Sequence, residues 1–180
     1  MVYLFLADGF EEMEAIAPVD VLRRGGVDIK TVSVNNTVAV TGSHGITVNA
    51  DITKDNMDLS VAEGIILPGG IPGTPNLKAC DKVREALDTV NAKGGLIAAI
   101  CAAPSVLGAF GYLKGKRATC FPGFEGELEG AQYVKEFAVT DGNVITGCGA
   151  GGAYQFAFEL LKYFKGADAA DALKKGMLYE

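Results

Sequence analysis

The sequence predicts an α/β protein, a doubly wound sandwich with a mainly parallel sheet. Short apolar runs such as Val2–Leu6 and Leu96–Ile100 have the length and continuous hydrophobicity of strands buried on both faces. Segments with helical spacing separate these runs, an alternation typical of a sheet covered by helices on both sides. With 180 residues, 49% of them hydrophobic, the chain can bury a sizeable core, and we expect residues 1–180 to form a single domain.

The N-terminal part begins with the strand Val2–Leu6, and a helix is predicted over residues 11–24. That helix opens with acidic residues and closes with two arginines followed by two glycines, as the helix dipole and C-cap preferences require. Pro18 lies inside it and predicts a kink or a break into two short helices. Residues 27–34 alternate as a strand, and residues 37–41 and 46–50 resemble the two arms of a β-hairpin.

The C-terminal part continues the alternation. A buried strand, Gly64–Leu67, precedes a helix predicted over residues 77–92, and the strand Leu96–Ile100 leads directly into a further helix. The last predicted elements are a strand at residues 144–146, a long helix at 153–164 and one more short helix in the polar tail.

Composition and charge limit the classes of binding partner that the chain could have. A net charge of −6 argues against nucleic acid and acidic membrane surfaces. Residues 95–113 carry no charge, but glycine and proline interrupt them, so they fit a strand, turn and helix better than a membrane span. The N-terminus lacks the basic leader of a signal peptide, and the four cysteines form no CxxC pair and have no histidine at metal-ligand spacing. We therefore expect a cytoplasmic protein with reduced thiols, no metal and no cofactor.

Four segments that follow strand ends should meet at one edge of the sheet. They are residues 8–14, 68–73, 101–104 and 147–152. In open α/β sheets, ligands bind outside the carboxyl ends of the strands. The predicted site therefore contains a cysteine, several carboxylates and glycine-rich turns.

Cys101 is the most informative residue of this edge, because a buried strand ends on it and a helix begins directly behind it. This arrangement is that of a nucleophile elbow, in which the helix N-terminus favours thiolate over thiol. The alternative is that Cys101 is a small buried core residue, the commonest fate of a free cysteine.

Glu11, Glu12 and Glu14 are the titratable cluster that the first strand delivers to the same edge. A carboxylate beside a thiolate is unfavourable, so a glutamate there would have a raised pKa and would donate a hydrogen bond to sulfur. The simpler interpretation of all three is that they are solvated residues of the first helical turn.

Other candidates give weaker signals. The turn ending in Gly70 is suited either to holding an oxyanion through its backbone N–H groups or to tight turning alone. Residues 147–152 lack the spacing of a phosphate-binding loop. His44 lies in the hairpin loop, where a surface role is the simpler interpretation, and Cys148 lies in an edge turn from which it could resolve an oxidised Cys101. The two other cysteines, Cys80 and Cys120, are expected to be inert.

Four motifs, spread in order over nearly the whole chain, resemble the ThiJ/PfpI superfamily and most closely its parkinsonism-associated DJ-one family. They are GFEEME at 9–14, PVDVLRR at 18–24, LPGG at 67–70 and GLIAAICAAP at 95–104. The resemblance implies a flavodoxin-like sandwich and a homodimer. It also implies an oxidisable cysteine at Cys101 whose sulfur is hydrogen-bonded by the buried acid Glu14.

The resemblance also implies cofactor-free glyoxalase activity, protein deglycation, redox sensing or chaperone behaviour. The protease branch carries Cys-His at the elbow, whereas Ala102 follows the cysteine here, so a peptidase or amidase is disfavoured. Phe121-Pro122 stand near the place of a family His-Pro, and His44 and Cys148 near the places of family arginines. These departures remove a candidate base and make the expected pocket less cationic.

Two functional hypotheses follow. In the first, the Cys101 thiolate adds to a small dicarbonyl such as methylglyoxal, Glu14 moves the proton, and N–H groups near Gly70 and Ala102 hold the oxygen. The product is a 2-hydroxy acid. In the second, Cys101 is oxidised to a sulfinate that Glu14 stabilises, and the protein is a stress sensor or a redox-regulated chaperone.

Overall fold

The computed structural model of the protein describes residues 1–179. Its strands in chain order are β1 (Val2–Leu6), β2 (Ile29–Ser33), β3 (Ala39–Thr41), β4 (Thr47–Asn49), β5 (Ile52–Thr53), β6 (Gly64–Leu67), β7 (Leu96–Ile100), β8 (Arg117–Ala118), β9 (Gln132–Tyr133), β10 (Ala138–Asp141) and β11 (Val144–Gly147). Its helices are α1 (Glu12–Arg24), α2 (Gly73–Lys78), α3 (Asp81–Ala92), α4 (Pro104–Ala109), α5 (Ala153–Lys165) and α6 (Ala167–Gly176).

Within residues 1–179, seven of these strands form a central sheet in the order β10-β11-β7-β6-β1-β2-β5. All neighbours in it are parallel except β10, which pairs antiparallel with β11 at one edge. The mainly parallel, flavodoxin-like sandwich predicted from the sequence is confirmed. The short strands β3 and β4 form the predicted hairpin beside this sheet.

Alternating side chains of the buried strands divide the core between the two faces. Leu4 and Leu6 pack with residues of α1 and α5, whereas Tyr3 and Phe5 pack on the opposite face with residues of α3 and α4. Since β2 lies on one side of β1 and β6 on the other, the chain reverses its winding direction between β1 and β6. Such a reversal opens a crevice at the carboxyl ends of the two strands, where ligands of this fold class bind.

Two predictions about individual elements are wrong, and one edge strand of the central sheet was missed. Helix α1 runs through Pro18 without the predicted break, because the buried residues on both sides of the proline hold it against the sheet. The helix predicted over residues 77–92 is two helices, separated at Cys80, whose extended backbone places it before the first turn of α3. Strand β10 was not predicted, although Asp141-Gly142 is a hairpin signal between β10 and β11.

The lengths and compositions of the helices show whether any of them could cross a membrane. Among residues 1–179, none of the helices combines the length and the apolar composition that crossing a bilayer requires. Residues 95–113, the stretch without charge, divide into β7, a turn and α4, as the sequence predicts.

Candidate functional site

The predicted strand–cysteine–helix turn is present at Cys101. The residue adopts the left-handed conformation with φ of 66° between β7 and α4, a strained position for a residue other than glycine. Two backbone hydrogen bonds hold it there: its N–H donates to Gly147 O at 2.9 Å, and its carbonyl accepts from Phe121 N–H at 2.8 Å. The neighbouring segments thus hold the thiol at the sheet edge, as in a nucleophile elbow.

Glu14 reaches the same place from α1 and is completely buried. The helix start is fixed by Glu11, whose carboxylate accepts from Glu14 N–H at 2.8 Å and whose own N–H donates to Gly69 O at 3.0 Å. These bonds tie the first turn of α1 to the end of β6. The expectation that all three glutamates are solvated is wrong for Glu14 and also for Glu12, which is 7% exposed.

Gly69 allows the carboxyl and the thiol to approach one another. Its N–H donates to Glu14 Oε2 at 2.9 Å. A Cβ at this position would lie 2.6 Å from both Cys101 Cβ and Glu14 Oε2, so a larger residue cannot occupy it. The second carboxyl oxygen, Oε1, is buried and has no partner of normal geometry within residues 1–179. A protonated Glu14 therefore has an oxygen from which it can donate to sulfur or to a bound molecule.

Burial makes both members of this pair weaker acids than usual. Burial raises the pKa of Glu14 to about 7, and the charge of Glu11 adds to the effect. Burial and the charge of Glu14 raise the pKa of the Cys101 thiol to about 12, opposed by the N–H groups of Ala102 and Gly70. Between these two values the pair holds one proton. The amide of Ala102, in the turn into α4, acts to lower the thiol pKa as the elbow predicts, but burial and the neighbouring carboxylate outweigh it and the net shift is upward.

The backbone amides of Gly70 and Ala102 lie beside the sulfur, since both act to lower its pKa. Gly70 has a φ of 94°, in the left-handed region that favours glycine, and a Cβ there would clash with the backbone of Glu11. The glycine therefore lets the β6 turn pass close to the start of α1. The arrangement gives two N–H donors near the place where an oxyanion would form.

His44 lies with Glu12, and the structure shows no hydrogen bond from it to Cys101 within residues 1–179. Its Nδ1 is 2.8 Å from Glu12 Oε2 and 4.0 Å from Glu11 Oε1, and its side chain is exposed. The carboxylate of Glu12 raises the pKa of His44. These three residues bring potential metal-ligand atoms within 4.8 Å of one another, and they are the group at this edge that could hold a cation.

Cys148 is half-buried in the turn after β11, and burial raises its pKa. It lines a cavity of about 450 Å³ together with Cys120 and Phe121. Cys80, which was expected on a helix, caps α3 instead. The sequence reasoning missed two further lining residues, Tyr133 and Phe137, because residues 119–137 contain few regular elements and no motif that points to the sheet edge.

A cysteine held at a strand–helix elbow, against a buried carboxylic acid in a flavodoxin-like sandwich, defines a class of α/β proteins with a polarised thiol. Within that class the chain belongs to the DJ-1/PfpI family, which its sequence matches over residues 1–163. The resemblance found in the sequence motifs is thereby confirmed.

Curated relatives agree with this assignment. The chain is 39% identical to Protein DJ-1 homolog B of Arabidopsis thaliana over 92% of its own length, and it covers 38% of that protein. It thus spans less than half the length of this relative and of DJ-1 homolog A of the same plant, of which it covers 45%. It is 36% identical to Protein dj-1beta of Drosophila melanogaster, with 97% of this chain and 95% of that protein covered.

Solved structures share the fold over nearly the whole chain. A mutant of a DJ-1 superfamily protein from Salmonella typhimurium has a TM-score of 0.94 at 35% identity, with 99% and 98% of the two chains covered. An oxidized form of Toxoplasma gondii DJ-1 has a TM-score of 0.95 at 31% identity, with 99% and 97% covered.

Two relatives have names that state an activity. One is a deglycase of Pyrococcus abyssi, 30% identical, with 91% of this chain and 99% of that protein covered. The other is a glutathione-independent glyoxalase of Caenorhabditis elegans, 34% identical, with 92% and 88% covered.

Proposed function

We propose that this chain is a cofactor-free, cysteine-dependent enzyme that acts on small reactive dicarbonyls, of the glyoxalase or deglycase type. The observation that supports it most is the Cys101–Glu14 pair, which shares one proton above about pH 7 and has an unpartnered carboxyl oxygen. A nucleophile beside an acid that can both donate and accept a proton is what isomerisation of a ketoaldehyde needs. The names of the two relatives with stated activities are consistent with this substrate class.

The first step is addition of sulfur to the aldehyde. Because the pKa of Cys101 is about 12 and that of Glu14 about 7, the single proton rests mainly on sulfur. The reactive form is the tautomer in which this proton has moved to Glu14 and the negative charge is on Cys101. The thiolate forms a bond to the aldehyde carbon, the carbonyl electron pair moves to oxygen, and Glu14 protonates that oxygen to give a hemithioacetal. The N–H groups of Gly70 and Ala102 stabilise the charge that develops on the oxygen.

The second step moves a proton between carbons. Glu14, now a carboxylate, takes the proton from the carbon bound to sulfur, giving an enediolate, and returns it to the neighbouring carbon. The hydroxyl proton passes from the oxygen on the first carbon to the oxygen on the second. The product is a thioester of Cys101 with a 2-hydroxy acid. Water then breaks the thioester bond, which releases the acid and restores the thiol. One water is consumed and no oxidant or metal takes part.

The test is formation of lactate from methylglyoxal by the purified protein. Cys101→Ser should lower the rate by about 100-fold or more, because the alcohol is a much weaker nucleophile at neutral pH. Cys80→Ser is the matched control, since Cys80 lies at the start of α3, outside the pair. Equal rates in the wild type and in Cys101→Ser would refute the proposed enzyme.

A second candidate function uses the same sulfur as a sensor. Two molecules of peroxide oxidise the Cys101 thiolate to a sulfinate and are themselves reduced to water. Protonated Glu14, through its unpartnered oxygen, donates a hydrogen bond to the sulfinate. The presence of Phe121 where the family resemblance places a histidine favours this function, because no imidazole assists turnover. An uptake of two oxygens under mild peroxide should map to the peptide that contains Cys101; uptake confined to other peptides would exclude the sensor.

We further propose that two copies of the chain associate in the cytoplasm through the outer face of α1 and the hairpin. Apolar side chains are exposed or half-exposed there: Met13, Ile16, Ile46 and Val48, next to Tyr154 of α5. Exposed apolar clusters of this kind mark interfaces. Sedimentation should give a dimer mass for the wild type and a monomer mass for Ile16→Glu, whereas a monomeric wild type would exclude the interface.

A further inference from the structure

The cavity beside the Cys101–Glu14 pair has features that the chemistry of the pair does not use. Its volume is about 450 Å³, within the range of small-molecule sites. Phe121 and Pro122 form one part of the lining, and the turn at Cys148 forms another. Tyr133 and Phe137 add two more aromatic rings. The methyl group of methylglyoxal fills only a small fraction of this space.

The cavity lies next to the pair and meets it through Phe121 and Gly149, since Cys101 and Glu14 do not themselves line it. Phe121 belongs to its lining and donates its N–H to the carbonyl oxygen of Cys101 at 2.8 Å. Gly149 lies between the Phe121 ring and the carboxyl: a Cβ there would be 3.1 Å from the ring and 3.9 Å from Glu14 Oε1. That space is free because the residue is glycine. The unpartnered Oε1, on a completely buried side chain, thus faces the side of the turn that lines the cavity.

The chemistry of the lining selects for an apolar occupant. Its two charged residues, Lys135 and Glu136, are of opposite sign, and Glu136 is paired with Arg117 at 2.9 Å. The remaining side chains are mostly aromatic rings, thiols and small apolar groups, which stack on and enclose a flat ring. An imidazole at position 121 would have made this wall polar, whereas Phe121 makes it apolar.

We propose that this cavity binds the substituent of the dicarbonyl, and that the enzyme therefore prefers aryl-substituted ketoaldehydes over methylglyoxal. The inference rests on the proposed function for the dicarbonyl end of the substrate, and it adds the class of side group. A substrate such as phenylglyoxal places its aldehyde at Cys101 and its ring beside Phe121. Because each buried apolar group contributes about a tenfold or larger factor to specificity, kcat/KM for phenylglyoxal should exceed that for methylglyoxal by about 10- to 100-fold.

The first experiment measures initial rates for the two substrates. Cys101→Ser provides the background that corrects for reaction of phenylglyoxal with arginines. Phe121→Ala should reduce the ratio of the two kcat/KM values by about tenfold or more, because one wall of the cavity is lost. Tyr163→Ala is the matched control, an exposed aromatic residue on α5 outside the lining, and should keep the wild-type ratio. A wild-type ratio near one, or a ratio that Phe121→Ala leaves unchanged, would overturn the inference.

The second experiment measures binding without turnover, so that the two proposals can fail separately. In Cys101→Ser, the aryl product mandelate should bind with a Kd about tenfold or more below that of lactate, and it should shift the NMR signals of Phe121 and Tyr133. If neither ketoaldehyde is turned over, the proposed enzyme is refuted. The difference between the two Kd values then decides by itself whether the cavity binds an aryl group. Equal affinities, or shifts confined to other residues, would refute the apolar subsite.

Discussion

Glu12 and Glu14 stand two residues apart in the first turn of α1, yet their surroundings shift their pKa values in opposite directions. Burial acts to raise the pKa of Glu12, but hydrogen bonds from His44 and the amide of Ile46 outweigh it, and the net shift is downward. Burial raises the pKa of Glu14 to about 7, although the Cys101 thiol and the amides of Gly69 and Ala150 oppose the shift. Two glutamates on the same helical turn thus differ: Glu12 is a stable anion, and Glu14 is a weak acid.

The difference teaches that the balance between burial and the donors facing a carboxyl decides its role. Glu12 accepts from His44 N–H at 2.8 Å and lies 2.8 Å from the ring Nδ1, so its charge is compensated. Glu14 faces a thiol, which compensates charge poorly, and a glycine turn that leaves its Oε1 open. The first environment suits a structural link between α1 and the hairpin, and the second suits proton transfer.

The largest expected effect comes from removing the acid of the pair. Glu14→Gln eliminates the negative charge beside sulfur, so the pKa of Cys101 should fall from about 12 toward the ordinary thiol value. Alkylation at pH 8 should then become about tenfold faster or more, while lactate formation drops by about 100-fold or more for lack of a proton carrier. Alkylation followed against pH by mass spectrometry gives the thiol pKa. An unchanged thiol pKa in this variant would show that the charge of Glu14 does not raise the pKa of Cys101.

The buried acid should also make stability depend on pH. The pKa of Glu14 is about 7 in the folded protein against an ordinary 4.5, so between these values the unfolded chain releases a proton that the folded protein keeps. The contribution to stability is complete below about pH 4.5 and is lost as the pH rises through about 7, by about 3 kcal/mol in total. Urea unfolding at pH 5 and pH 8 measures it. Glu14→Gln should remove this part of the slope, and an identical slope in both proteins would contradict the assignment.

Activity should follow the same titration. Below about pH 7 both members of the pair are protonated, so kcat/KM for methylglyoxal should fall about tenfold for each pH unit below that value. Above it the pair holds one proton and the rate should level off. A pH–rate profile between pH 5 and 9 provides the measurement. A rate that rises on acidification would show that another group controls the reaction.

The smallest effect is expected at the other glutamate. Glu12→Gln removes the anion beside His44, so the pKa of His44 should fall toward the ordinary value of 6.5. NMR titration of the histidine ring follows this directly, and the chain contains one histidine, which makes the signal unambiguous. The thiol pKa of Cys101 should stay as in the wild type. A shift of both groups together would mean that the two regions are coupled.

Much of the fold could be predicted because its signals are local. The apolar run Leu96–Ile100 and the glycine turns around it indicate a buried strand wherever they occur, and β7 has these bounds. Errors arose where tertiary packing opposed a local preference. Pro18 is a helix breaker in isolation, but burial around it keeps α1 intact. The backbone at Cys80 is extended and interrupts a stretch whose spacing looked helical throughout.

By itself, the sequence determined the order of strands and helices, the position of Cys101 at an elbow and the delivery of a glutamate cluster to the same edge, because these follow from periodicity and strand polarity. Only the tertiary structure decided which glutamate is buried against sulfur, that the thiol pKa rises, and that Phe121 lines an apolar cavity with Tyr133. The physical reason is that burial and charge compensation depend on groups distant along the chain. Gly69 and Gly149, for example, leave the space around Glu14 that gives this carboxyl its role.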